Sequence, residues 1–196
     1  MARPKGRRAP KPSPGMQLDP GGVLWSWMNE IATQSRFSLY AYSQIQRCVS
    51  ERMGTEVFFY IYALLNHAGN IVQLLNSPEG PAASARQQTL QQELAPSLGA
   101  IRAFRNDLAH YDERLLKWLE GAHLGAQIDM YLGSPETFGG VNATNFFRAY
   151  DPATATVYFQ AERLDLAQVA TELARIGAVA SAWVNIHLPD GRPRPT

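Results

Sequence analysis

A single cysteine, Cys48, stands in a chain of 196 residues. One thiol closes no internal disulfide and builds no cysteine-rich zinc site. The four histidines, at 67, 110, 123 and 187, show no metal-ligand spacing. No metal and no other cofactor is therefore expected. Long apolar runs are missing as well. The longest clear one, Val57 to Leu65, is too short to span a bilayer. The N-terminus is basic and proline-rich, and no apolar signal core follows it. These absences describe a soluble protein of a reducing compartment, the cytoplasm, with no membrane partner. No internal repeat is visible.

Net charge is also small, +1, but it is unevenly placed. Residues 1–17 carry five bases and no acid, and residues 190–196 two bases and one acid. Eleven bases and sixteen acids remain in 18–189, a net −5. A body of that sign lacks a broad basic surface, so any nucleic-acid contact must use a local cluster or the N-terminal arm.

The arm, residues 1–17, holds four prolines among its bases and cannot bury enough surface to order itself. It reads as a solubilising leader, with an electrostatic arm for RNA or DNA as the sharper alternative. Residues 18–188 form the folded domain, and 189–196 read as a flexible tail. Apolar residues make up 45% of the chain, enough for one sizeable core.

Asp19 and Pro20 suit a helix start, and Leu24, Met28, Ile31, Leu39, Tyr42, Ile45 and Val49 continue at helical spacing, with Ser35 as a gap. Gly54 breaks the chain. Val57 to Leu75 is apolar almost all round and reads as a central helix. Asn66, His67 and Asn70 interrupt it and are expected to satisfy one another or backbone groups inside the bundle, with a supporting role beside His110 as the alternative. Residues 77–81 have loop chemistry, and a short helix follows around 83–93. Leu98, Ile101, Phe104, Leu108, Tyr111, Leu115 and Trp118 step by threes and fours, which predicts one amphipathic helix of about 24 residues, roughly 36 Å long. Gly121 and Gly125 end it, and a long loop follows. A β-hairpin is expected at about 146–160, turning at Asp151-Pro152-Ala153-Thr154. A last helix starts near Asp165 and ends before Pro189. The expected fold is mainly α: a four- to five-helix up-and-down bundle with a small β-hairpin before the last helix.

The segment that can carry chemistry is Arg105-Asn106-Asp107-Leu108-Ala109-His110. On a helical wheel with Leu98 at 0°, apolar side chains fall between about 200° and 360°. Arg105, near 340°, and Asp112, near 320°, fall inside that arc. An arginine is rarely buried without a partner, and Asp112 or a residue of another helix or subunit can serve. His110, near 120°, lies opposite in a polar stripe with Arg102, Asn106, Glu113 and Lys117. An Asn106–His110 contact at i, i+4 is available. Tyr111 and Trp118 sit in the apolar arc and read as core. Cys48 reads as a small buried apolar residue, and His123 and His187 as helix-end surface residues.

Arg-Asn, three residues, then His, on the amphipathic helix of a small bundle, resembles the HEPN superfamily. Its hallmark is an Arg, four to six residues, then a His, with a polar residue after the Arg. The run His110 to Leu115 is also similar to HEPN-like proteins of unassigned function. The resemblance covers roughly residues 20–125 and 165–187. It implies a homodimer whose motif helices face each other across a cleft, and in active members metal-independent cleavage of RNA. His110 would move a proton and Arg105 would hold the scissile phosphate as charge develops. The 2′-OH would be the nucleophile. Asn106 would orient His110 or the phosphate, with Asp112 and Arg102 in support. A defence or toxin–antitoxin setting, with an antitoxin or other protein partner, comes with the resemblance. One toxin branch carries a modifiable Tyr two residues after the His. Here that position is Asp112, and the Tyr is adjacent at 111. Other members are inactive binding modules, so a protein- or nucleotide-binding or dimerisation role is the alternative, followed by an unrelated bundle with a chance motif.

Overall fold

A computed structural model describes residues 20–76, 83–121, 127–139, 141–160, 162–190 and 192–195. The N-terminal arm, the 77–81 loop and His123 lie outside the described residues. The chain is mainly helical, with α1 (Pro20–Ser50), α2 (Gly54–Asn76), α3 (Ala83–Leu94), α4 (Gly99–Ala109), α5 (Tyr111–Glu120) and α6 (Leu166–Ile186). A small sheet precedes α6, with strands β1 (Tyr131–Leu132), β2 (Arg148–Asp151), β3 (Thr156–Phe159) and β4 (Glu162–Asp165). The expected hairpin is β2 and β3, paired antiparallel with Ala149 opposite Tyr158. It is not alone: β4 adds to β3, and β1 pairs parallel to β2, in the order β1-β2-β3-β4. The loop expected after Gly125 therefore contributes a strand, a pairing too short to leave a period-2 signal.

α1 lies between α2 and α6. The Ser35 gap explains itself there. Ser35 is buried, and a Cβ built on Gly177 of α6 would come within 2.7 Å of the Ser35 Cβ. Two small residues let these backbones approach closely. Asp165 caps α6 by accepting from the Gln168 N–H at 2.9 Å. Cys48 is buried in the core, as the sequence suggests. After α6 the chain turns back: Leu188 N–H donates to Arg192 O at 2.7 Å, and Arg194 N–H to Ile186 O at 2.8 Å. His187 stacks on Trp183 with ring centroids 3.8 Å apart.

The predicted 24-residue helix is two helices. His110 joins them with φ −108° and ψ 36°, near the bridge region that active-site residues often occupy. The apolar period runs through the joint, but its two halves pack on different partners. α4 packs on α2, burying Ile101 and Phe104. On α5, Tyr111 and Trp118 both touch Phe147, at 5.4 and 5.3 Å between centroids, and Trp118 Nε1 donates to Thr144 O at 2.9 Å. Both aromatics are therefore packing residues, as expected. The start of α4 is held from α6. Glu172 accepts the Ser97 N–H at 2.7 Å, while Arg175 donates to Leu94 O at 2.6 Å and to Ala95 O. The Arg175 hydrogen bond holds the Glu172 carboxyl below its ordinary pKa.

Candidate functional site

Arg105 is half-buried on α4 and lies across Gly69 of α2. A Cβ at Gly69 would fall 2.1 Å from the Arg105 Cδ, so only glycine leaves room for this stem. With its amide oriented by hydrogen-bonding logic, Gln73 Oε1 accepts from Arg105 Nη1 at 2.6 Å and Nη2 at 2.8 Å. The partner of the buried arginine is thus a neutral amide of another helix, one of the alternatives the wheel leaves open. A carboxamide steers a guanidinium without neutralising it, so its charge stays available to an anion.

Arg105 lines a cleft of about 890 Å³ between α2 and α4, together with Gln73, Asn76, Arg102 and Asn106. Among the described residues its lining holds two arginines, three carboxamides and no acid. In a body of net −5 this is a local cationic spot, and its volume suits a nucleotide-sized ligand.

His110 does not line this cleft. Its side chain is about half exposed and lines a separate depression of about 290 Å³ with Asn106, Glu113, Arg114 and Lys117. Its Nδ1 lies 3.8 Å from a Glu113 carboxylate oxygen, a loose and solvated pair. The link between the two recesses is Asn106, which lines both. His110 N–H donates to Asn106 O at 3.1 Å, the ordinary helical bond, and among the described residues no side-chain hydrogen bond joins the two, so the expected side-chain contact is not seen.

The structure therefore gathers Arg102, Arg105 and Asn106, and sets His110 apart from Arg105. Asp112 is corrected. It was expected inside the apolar arc, but it is exposed on the first turn of α5. Tyr111 and Trp118 keep the expected face beyond the joint, whereas Asp112, in the acidic first turn of α5, does not.

Residues on α2 complete the site. Gly69 and Gln73 form the seat of Arg105, and nothing in their own spacing announces that. The available signal was the polar interruption around them. Of the three residues expected to satisfy one another or backbone groups, His67 Nδ1 instead bonds Gln34 Oε1 of α1 at 2.7 Å, and Asn70 Nδ2 donates to the same oxygen at 3.3 Å. Asn66 is exposed. Burial lowers the His67 pKa below its ordinary value.

Beyond the joint, Arg148 on β2 ties the sheet to the helices. It pairs with both carboxylate oxygens of Asp129, donates to Tyr62 Oη of α2 at 2.7 Å, and faces the Tyr111 ring at 5.2 Å. Tyr111 follows His110 directly, so this knot lies beside the joint. Among the described residues no group of three His, Cys, Asp or Glu could hold a metal ion, and no helix is long and apolar enough to cross a membrane. Comparison with known protein families, with curated proteins and with solved structures finds no match.

Proposed function

We propose that the protein is a metal-independent endoribonuclease of HEPN type that works as a homodimer, with Arg105 of one subunit and the partner subunit's His110 acting on one phosphodiester. The observation that carries this reading is the seat of Arg105. The guanidinium is fixed by Gly69 and the Gln73 amide, it faces a cleft with no acid among its described lining residues, and it keeps its charge for a phosphate. Within one chain His110 opens into a different recess, so a composite site needs a second copy. α5 offers a surface for that copy. Leu116 and Leu119 are half or more exposed and one turn apart, beside the stripe that carries His110.

In this scheme the imidazole of His110 takes the proton of the 2′-OH, whose oxygen attacks the adjacent phosphorus. The bond to the 5′-oxygen breaks, and that oxygen leaves with the proton that the His110 imidazolium gives up. The products are a 2′,3′-cyclic phosphate and a 5′-hydroxyl. Arg105 and Arg102 offset the charge that develops on the phosphoryl oxygens, and Asn106, shared by both recesses, orients the phosphate. A defence or toxin–antitoxin setting fits a dimeric ribonuclease of this kind.

RNA cleavage in EDTA tests the proposal. Cleavage is expected to fall about 10²–10⁴-fold in Arg105→Ala and in His110→Ala, both folded and dimeric, and to vanish on 2′-O-methyl RNA. Cleavage that persists in either variant would sink it. A second reading, a phosphate- or nucleotide-binding module without cleavage, is favoured by the separation of His110 from Arg105 within the chain. It predicts anion binding at the cleft and no strand scission.

A further inference from the structure

α1 carries an exposed surface that the ribonuclease scheme does not use. Phe37 and Tyr40 lie one turn apart on α1, 49% and 62% exposed. Phe37 contacts the His67 ring at 5.2 Å. From there a series of contacts leads toward Arg105. His67 and Asn70 share Gln34 Oε1, Asn70 and Gln73 stand one turn apart on α2, and Gln73 holds the guanidinium. An imidazole and carboxamides thus join two exposed rings to a cationic cleft. The acid bordering this track is Glu30, whose carboxylate accepts from Gln34 Nε2 at 2.6 Å. Arg36, exposed, stands one turn before Tyr40.

Exposed aromatic faces beside guanidinium groups, with amide edges between them, are the chemistry that binds unstacked nucleic-acid strands. Every base has a face that stacks, every nucleotide brings a phosphate, and amides pair with base edges. A duplex buries its base faces and cannot use the rings. A second protein subunit would suit this surface poorly, because its centre is polar. The apolar stripe suited to a subunit is Leu116 and Leu119 on α5.

We infer that Phe37 and Tyr40 are a base-stacking platform that feeds single-stranded RNA to the Arg102/Arg105 cleft. The inference rests on the proposed role of Arg105 as the phosphate-holding group, and it adds a second contact with the strand, made through its bases on α1.

Its test is anisotropy of a labelled, uncleavable 2′-O-methyl oligonucleotide of about 12 residues, in EDTA, so that binding is read apart from cleavage. Single strand is expected to bind at least about 10-fold more tightly than a duplex of equal length. Phe37→Ala/Tyr40→Ala is expected to lose about 10-fold or more for the single strand, with the salt dependence unchanged. Arg105→Gln is expected to lower the salt slope by about one. Phe37→Trp/Tyr40→Trp restores binding, and its indole fluorescence is quenched by the oligonucleotide. This variant decides the matter if the alanine pair fails to fold. Equal binding of duplex, unchanged affinity of the alanine pair, an unquenched tryptophan pair, or a shift of the alanine pair from dimer to monomer overturns the platform. Wild-type protein that binds in this pattern yet cuts no RNA keeps the platform and removes the ribonuclease. Cleavage of single strands unaffected by the alanine pair does the reverse.

Discussion

α4 and α5 come from one apolar period, yet they belong to different parts of the molecule. α4 lies on α2, and its arginine crosses to the neighbour's glycine. α5 lies on Phe147, at the edge of the inserted sheet. His110 sits where the two allegiances meet. A period of threes and fours tells which side of a helix is apolar. It does not tell what that side will meet, and two partners at different angles bend the helix between them. The two motif residues are apart for a simpler reason: Arg105 and His110 fall on opposite sides of the helix before the joint is reached.

The strongest way to break this comparison is to remove the partner of α5 alone. Phe147 is fully buried against Tyr111, Trp118 and Phe159. Phe147→Ala is expected to cost about 3–5 kcal/mol in chemical denaturation. Hydrogen exchange should rise first in α5 while α4 stays protected. Equal loss of protection in both halves would show them to be one unit.

Arg148→Met attacks the same side less severely. It leaves Asp129 and Tyr62 without their shared donor, at an expected cost of about 2–3 kcal/mol by thermal or urea unfolding. Arg148→Lys should lose less, since a single ammonium still reaches one carboxylate oxygen. A cost below about 0.5 kcal/mol would mean the knot holds nothing.

Gly69→Ala turns to α4. Alanine is worth up to about 1 kcal/mol more than glycine inside a helix, so global stability should change little. The new methyl must nevertheless displace the Arg105 stem. RNA cleavage should therefore fall by about tenfold or more in a protein of near-normal stability. Normal activity in this variant would show that the seat of Arg105 is irrelevant.

The smallest effect concerns acid. Burial holds the His67 pKa below its value in the unfolded chain. The unfolded state therefore takes up the proton first as pH falls below about 6.5, and the folded state loses stability on the acid side. Compared with His67→Gln, the wild type should lose more stability between pH 7.5 and pH 5. Parallel curves would contradict this.

Much of this molecule was legible in the sequence. Pro20, Gly54 and Asp165 mark helix boundaries because each has a backbone reason to sit there. The turn after Asp151 announced β2 and β3. The inward lean of Arg105 and the outward one of His110 followed from the wheel. The break at His110 was hidden, because a joint that keeps the apolar rhythm leaves no proline or glycine behind. β1 was hidden because two residues cannot show alternation. Gly69 and Gln73 were hidden because their meaning lies in α4, more than thirty residues away.

The central claim is that Arg105 and His110 act together from different subunits, and subunit mixing tests it most directly. Arg105→Ala and His110→Ala are each expected to be inactive on RNA in EDTA. Mixed one to one and allowed to exchange subunits, they form heterodimers with one intact composite site. Activity should return to about a quarter of the wild-type level, as twofold symmetry and random pairing require. A mixture as inactive as its components, beside a wild type that cuts RNA, would contradict the shared site.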